Sequence, residues 1–155
     1  MIIKEVLVEK EIQIDDLNVR GYLDLAIVTD DKEVHLFDIK TINDWSYKMK
    51  FGRKADPSGS IHQELQLATY GLALEDMYPD HKIKMYLLFY NKNTSMIKYL
   101  EVTEDRIMSS YSFWKRTLAE HKNGLPDLKK GVSPVMDWEC RYCQYKQQCE
   151  GDLNV

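Results

Sequence analysis

At 155 residues the chain is long enough for one domain that buries about two-thirds of its unfolded surface. Hydrophobic residues make up 44% and charged residues 30%, an ordinary globular balance, and no apolar run approaches the length of a membrane span. A net charge of -4 does not advertise a nucleic-acid binder, and three cysteines confined to 140–149 argue against a disulfide framework and for a metal or cluster site, or for chance.

In positions 1–14, Val6, Val8, Ile12 and Ile14 alternate with Glu5, Glu9, Glu11 and Gln13, which predicts a strand. Asp15-Asp16-Leu17-Asn18 reads as a turn, 19–28 as a second strand and 33–39 as a third, so the chain opens as an antiparallel meander. The run Thr29-Asp30-Asp31-Lys32-Glu33 joins the second and third strands as a hairpin. A turn centred on Asp31 places Asp24 opposite Asp38, with side chains about 5 Å apart on one face. Lys40 shares that face because side chains alternate along a strand. Two carboxylates at that range repel, the more so when desolvated, and the expected remedy is a cation. Oxygen donors favour a hard divalent ion, Mg²⁺ or Mn²⁺. Taken as bare residues, the same pattern also suits a solvent-facing hairpin in which Lys40 offsets the charge of the two acids.

Beyond Lys40, the basic residues Lys48, Lys50, Arg53 and Lys54 are interleaved with Tyr47 and Phe51. Such a run suits phosphate attraction and base stacking, making these four the candidate DNA-binding residues; an ordinary solvated loop is the plainer reading. Turn formers over 55–60 make a flexible connection. Positions 61–77 then read as a helix whose apolar face includes Leu65, Leu67, Ala68, Leu72, Ala73 and Leu74, with Ser60 as cap and Gln63 as its capping-box partner. Gln66 and Tyr70, four apart, lie on one face of it. Strands over 82–90 and 95–102 follow, joined by the turn Asn91-Lys92-Asn93-Thr94. A final helix starts at the cap Thr103 and runs to about 122, where Asn123-Gly124-Leu125-Pro126 stops it. Three strands, a helix, two strands and a helix describe an α/β fold with a mixed sheet. Residues 1–125 form its core, and 126–155 a Cys-rich segment packed on that core within a single domain.

Cys140-x-x-Cys143 followed by Cys149 places three thiols where they can clasp one zinc ion or iron–sulfur cluster, although four ligands are normal for both. Three free thiols in a small aromatic knot is the alternative. No signal-peptide pattern opens the chain, and a cytoplasmic location is the expectation.

Together, Gly21-x-x-Asp24, Asp38-Ile39-Lys40-Thr41, Gln66-x-x-x-Tyr70 and Cys140-x-x-Cys143-x-x-x-x-x-Cys149 resemble the RecB-type branch of the PD-(D/E)XK nucleases. The likeness is strongest to the iron–sulfur exonucleases of CRISPR adaptation and their phage relatives, and it covers roughly 19–149. It implies a restriction-endonuclease-like mixed β-sheet flanked by helices, and Mg²⁺- or Mn²⁺-dependent hydrolysis of DNA single strands or ends, in repair, recombination or phage DNA metabolism. Asp24, Asp38 and the Ile39 carbonyl would hold the metal. Lys40 would orient or activate the attacking water and stabilise the transition state. Gln66 and Tyr70 would position DNA or brace the site, and Cys140, Cys143 and Cys149 would hold a [4Fe–4S] cluster. The chain departs from the family pattern in lacking the helix before the first strand, with its metal-completing Glu or His, and the first cluster cysteine. The sequence is then a truncated piece, a shortened phage version, or a chain whose partner protein supplies the missing parts. Two other functions fit the same residues: a DNA-binding or assembly module without turnover, and a phage regulator that mimics a host nuclease.

Overall fold

The computed structural model describes residues 2–53, 55, 60–122, 141–144 and 146–147. In chain order these form β1 (Ile3–Ile14), β2 (Val19–Thr29), β3 (Glu33–Ile42), α1 (Asp44–Phe51), α2 (Ile61–Met77), β4 (Lys82–Asn91), β5 (Ile97–Val102) and α3 (Asp105–Lys122). The five strands make one sheet in the order β1-β2-β3-β4-β5. Neighbours are antiparallel except β3 and β4, which run parallel because α1 and α2 fill the crossover between them. The fold is therefore the α/β arrangement with a mixed sheet that the element order predicts. The chain separates into two compact units, Met1–Trp114 and Lys115–Val155. The sheet, α1 and α2 all belong to the first.

Each hairpin is turned by local chemistry. Asn18 takes the left-handed conformation (φ 53°) after the short 3₁₀ turn Asp15–Leu17, and its N–H donates to the Asp15 carbonyl at 3.0 Å. Lys32 (φ 58°) turns the β2–β3 hairpin, where the Thr29 hydroxyl donates to the Asp31 carboxylate and the Glu33 carbonyl. The pairing Val28↔Val34 through Leu25↔Phe37 realises the register expected for a turn centred on Asp31.

β1 departs from simple alternation. Val6 and Val8 are exposed while Leu7, Ile12 and Ile14 are buried, so the buried face changes parity along the strand. Glu9 takes a positive φ of 47°, and Glu9 and Asp24 are the two residues left between the pairs Val8↔Leu25 and Lys10↔Leu23. The partner strand changes parity at the same place: Ala26 and Val28 are buried on one side of it and Leu23 on the other.

The core lies on one face of the sheet. Val34 and Leu36 of β3 and Ile83, Met85, Leu87 and Phe89 of β4 pack with Leu67, Ala68, Ala73 and Leu74 of α2 and with Ile107 of α3. A polar clasp joins the two helices: the Thr69 hydroxyl donates to the Leu65 carbonyl at 2.7 Å, meets Ser110 Oγ at 2.8 Å and accepts from Trp114 Nε1 at 2.8 Å.

Two local expectations are corrected. The basic and aromatic run after β3 is helical over Asp44–Phe51, started by Asn43, whose Oδ1 accepts from Ser46 N at 2.7 Å. The expected Ser60–Gln63 capping box is not formed. Ser60 makes no cap hydrogen bond, and its Oγ accepts from Lys50 Nζ instead.

Candidate active site

The β2–β3 ladder ends at Leu25↔Phe37, one step before Asp24 and Asp38. Beyond that pair the Ile39 N–H donates to Asp24 Oδ2 at 2.7 Å, so a side chain replaces the backbone acceptor of a continuing ladder. In a strand the N–H and C=O of one residue lie on the same edge. The Ile39 carbonyl therefore also lies toward the edge that Asp24 occupies.

Asp38 points to the core face and is 1% exposed. Alternation places Val34, Leu36, Asp38 and Lys40 on that face, next to Ile83, Met85, Leu87 and Phe89 through the parallel register. A carboxylate buried there needs a partner, and Lys40 supplies it, with Nζ 2.9 Å from Oδ2 and 3.1 Å from Oδ1. Only the Oδ1 contact is aligned as a hydrogen bond; buried Oδ2 receives none. Burial pushes the Asp38 carboxyl up from its ordinary value, Lys40 pulls it down and the nearby Asp24 charge raises it again, with burial the largest of these effects.

Lys40 Nζ also donates to Gln66 Oε1 at 2.9 Å, and Gln66 Nε2 donates to the Tyr70 hydroxyl at 3.0 Å. The helical period of α2 stacks Gln66 and Tyr70, and the crossover lays that face over the end of β3. Five of the sequence-predicted site residues are thus brought together: Asp38, Lys40, Gln66 and Tyr70 form one continuous polar chain, and Asp24 stands beside it. Gly21, to which the sequence reading assigns no role of its own, faces Tyr70; a Cβ there would lie 3.1 Å from Tyr70 Cε1. A glycine three residues before Asp24 in a strand of larger side chains is the signal of such a close approach.

The predicted basic residues lie on or just after α1. Lys48 pairs with Asp44 at 2.6 Å, Lys50 sits over the Phe89 ring at 4.8 Å, and Arg53 is exposed. Lys54 lies outside the described residues, as do Cys140 and Cys149. Cys143 is an exposed free thiol. Among the described residues no group of three or more His, Cys, Asp or Glu side chains is placed to hold a metal ion. This leaves the predicted cluster without support. Two carboxylates are nonetheless a sufficient protein contribution for Mg²⁺, which keeps several of its waters. The unsatisfied Oδ2 of Asp38 and the carboxylate of Asp24 fit such an ion in donor chemistry. No described helix is long and apolar enough to cross a membrane.

Comparison with known proteins adds the following. The family model of the PD-(D/E)XK nuclease superfamily matches residues 3–150. Among solved structures, the crystal structure of SSO0001 is similar at 20% identity and a TM-score of 0.49; the match covers 94% of this chain and 61% of that one. No curated protein matches the sequence.

Proposed function

The chain belongs to the PD-(D/E)XK nuclease superfamily, and from that premise we propose that it hydrolyses phosphodiester bonds in DNA with Mg²⁺ or Mn²⁺, acting on single strands or ends. The observation that carries this reading is the unbroken polar chain Asp38–Lys40–Gln66–Tyr70, with Asp24 at the opening of the β2–β3 ladder. Asp24, Asp38 and the Ile39 carbonyl would hold the metal. When bound, it would supply charge neutralisation at the scissile phosphate and a lowered pKa for coordinated water.

The chain's own residues do the rest. Lys40, held between Asp38 and Gln66, has an ammonium group fixed where it orients water and offsets charge developing on phosphate oxygens. The Gln66 amide is oriented by its two partners, carbonyl toward Lys40 and NH₂ toward Tyr70. Tyr70 accepts that hydrogen bond and retains its own proton to donate to a phosphate oxygen. The Gln66–Tyr70 pair is the feature that favours a RecB-type member, and with it action on strands or ends.

The test is degradation of end-labelled single-stranded DNA by the full chain in Mn²⁺, in EDTA, and with Lys40→Ala or Asp38→Asn. Wild-type protein is expected to degrade the strand only with metal, and each variant to lose on the order of 10²–10³-fold in rate. Cleavage that persists in EDTA, or that Lys40→Ala leaves intact, refutes the reading.

A further inference from the structure

We propose that the outer face of α1, formed by Trp45, Lys48 and Met49, is a stacking platform that guides single-stranded DNA to the Asp38–Lys40 site. The identity of the polymer rests on the nuclease reading; the platform itself rests on how α1 is held and what it displays. Residues 45, 48 and 49 are spaced i, i+3, i+4 and share one side of the helix. Trp45 is 70% exposed and Met49 48%, and the Lys48 side chain is 73% exposed. A large aromatic and a thioether laid side by side in water form a patch, which is more telling than isolated exposed side chains.

The opposite side of α1 is anchored. Tyr47 is buried, its ring 5.0 Å from that of Phe51, and Phe51 packs edge-on against Phe89 at 5.5 Å. Lys98 of β5 lies over both the Tyr47 and the Phe51 rings. At the helix start, Asn93 Oδ1 accepts from Asp44 N at 2.9 Å and buried Asn91 donates to Asp44 Oδ1 at 3.2 Å. This tethers α1 to the β4–β5 turn. A helix fixed this firmly presents Trp45 in one place, so little ordering remains to be done when a base stacks on it.

Position and charge identify the occupant. Phe89, on which α1 rests, is the register neighbour of Lys40 on the same face of the sheet. Trp45 is five residues from Lys40, hence within about 18 Å of it even along a fully extended chain. Over 44–53 three basic residues stand against one acid, whereas the whole chain is acidic. Of the three, Lys48 lies on the platform, paired with Asp44, Lys50 turns to the Phe89 side, and Arg53 is exposed just after the helix. Flat aromatic surface beside an exposed lysine, next to a phosphodiesterase centre, is the chemistry that binds unpaired bases and their backbone. In a duplex the bases are already stacked, so the platform selects single strands.

The experiment measures anisotropy of a fluorescein-labelled oligothymidylate, and of a duplex of equal length, titrated with full-length protein in EDTA. Trp45→Ala is expected to weaken single-strand binding about 10-fold with duplex binding unchanged and with the thermal unfolding midpoint of wild type; Trp45→Phe retains most of the affinity. Equal single-strand binding by wild type and Trp45→Ala, no single-strand binding by wild type, or an equal loss on duplex overturns the platform. If Trp45→Ala weakens binding while wild type shows no metal-dependent cleavage, the platform stands and the nuclease reading falls. If wild type cleaves and Trp45→Ala binds normally, the reverse holds.

Discussion

Tyr70 can stand beside Gln66 because Gly21, facing it from β2, has no side chain. An alanine there would meet the Tyr70 ring at 3.1 Å, forcing the phenol to give by a few tenths of an ångström. Misplacement by about 1 Å can cost about 10²-fold in rate, so Gly21→Ala is expected to reduce metal-dependent cleavage about 10-fold. The same change should move the thermal midpoint by no more than about 2–4 °C. Cleavage at the wild-type rate would show that the hydroxyl of Tyr70 has no positional role. The sequence already shows the glycine, and it shows that Asp38 and Lys40 share a face and that Gln66 and Tyr70 share another, since these follow from strand and helix periods. That Lys40 would spend its ammonium on Gln66 as well as Asp38 was not legible, because nothing local says which helix covers which strand.

Among the elements, α2 is tied down at its far end by the residue that stops it. The Tyr78 hydroxyl donates to Glu5 Oε2 at 2.8 Å, joining the C-terminal end of α2 to β1. Burial first, and then the hydrogen bond and charge of Glu5, push the Tyr78 phenol up to about 12 from an ordinary 10.0. The raised value means the neutral phenol is favoured in the folded state, so this stabilisation is complete below pH 10.0 and is lost as pH climbs through about 12. Tyr78→Phe should cost about 0.5–1.5 kcal/mol in urea unfolding at neutral pH. The stabilities of wild type and variant should then converge across the alkaline range, and a gap that stays constant there would rule out the clasp. At this scale the strands and α2 were readable from periodicity, and α2 starts and stops where its sequence predicts. α1 was not readable: eight residues give barely two turns, and its start depends on Asn43 capping and on the docking of Tyr47 and Phe51. The Ser60 cap failed for a related reason, since Lys50, brought close by the fold, takes the hydroxyl.

For the molecule as a whole, the site stands on the hydrophobic core. Leu87, fully buried, is the register neighbour of Asp38 and lies in the core cluster with Leu36, Leu67 and Phe89. Leu87→Ala is expected to lower the unfolding free energy by about 2–5 kcal/mol with an unchanged urea m-value. A loss under about 1 kcal/mol would mean the core collapses around the gap and does not rigidly support β3. By itself the sequence determined what depends on neighbours along the chain: where strands alternate, how α2 is striped, the hairpin register from Val28↔Val34 to Leu25↔Phe37, and the family motif. Tertiary structure alone decided the parallel pairing of β3 with β4, the burial of Asp38, the Lys40–Gln66 contact, the switch of buried face at Glu9 and Asp24, and the anchoring of α1. The physical reason is that periodicity is a property of a few consecutive dihedral angles. Burial and hydrogen-bond partnership are properties of residues far apart in the chain, selected by the one packing that covers the apolar face.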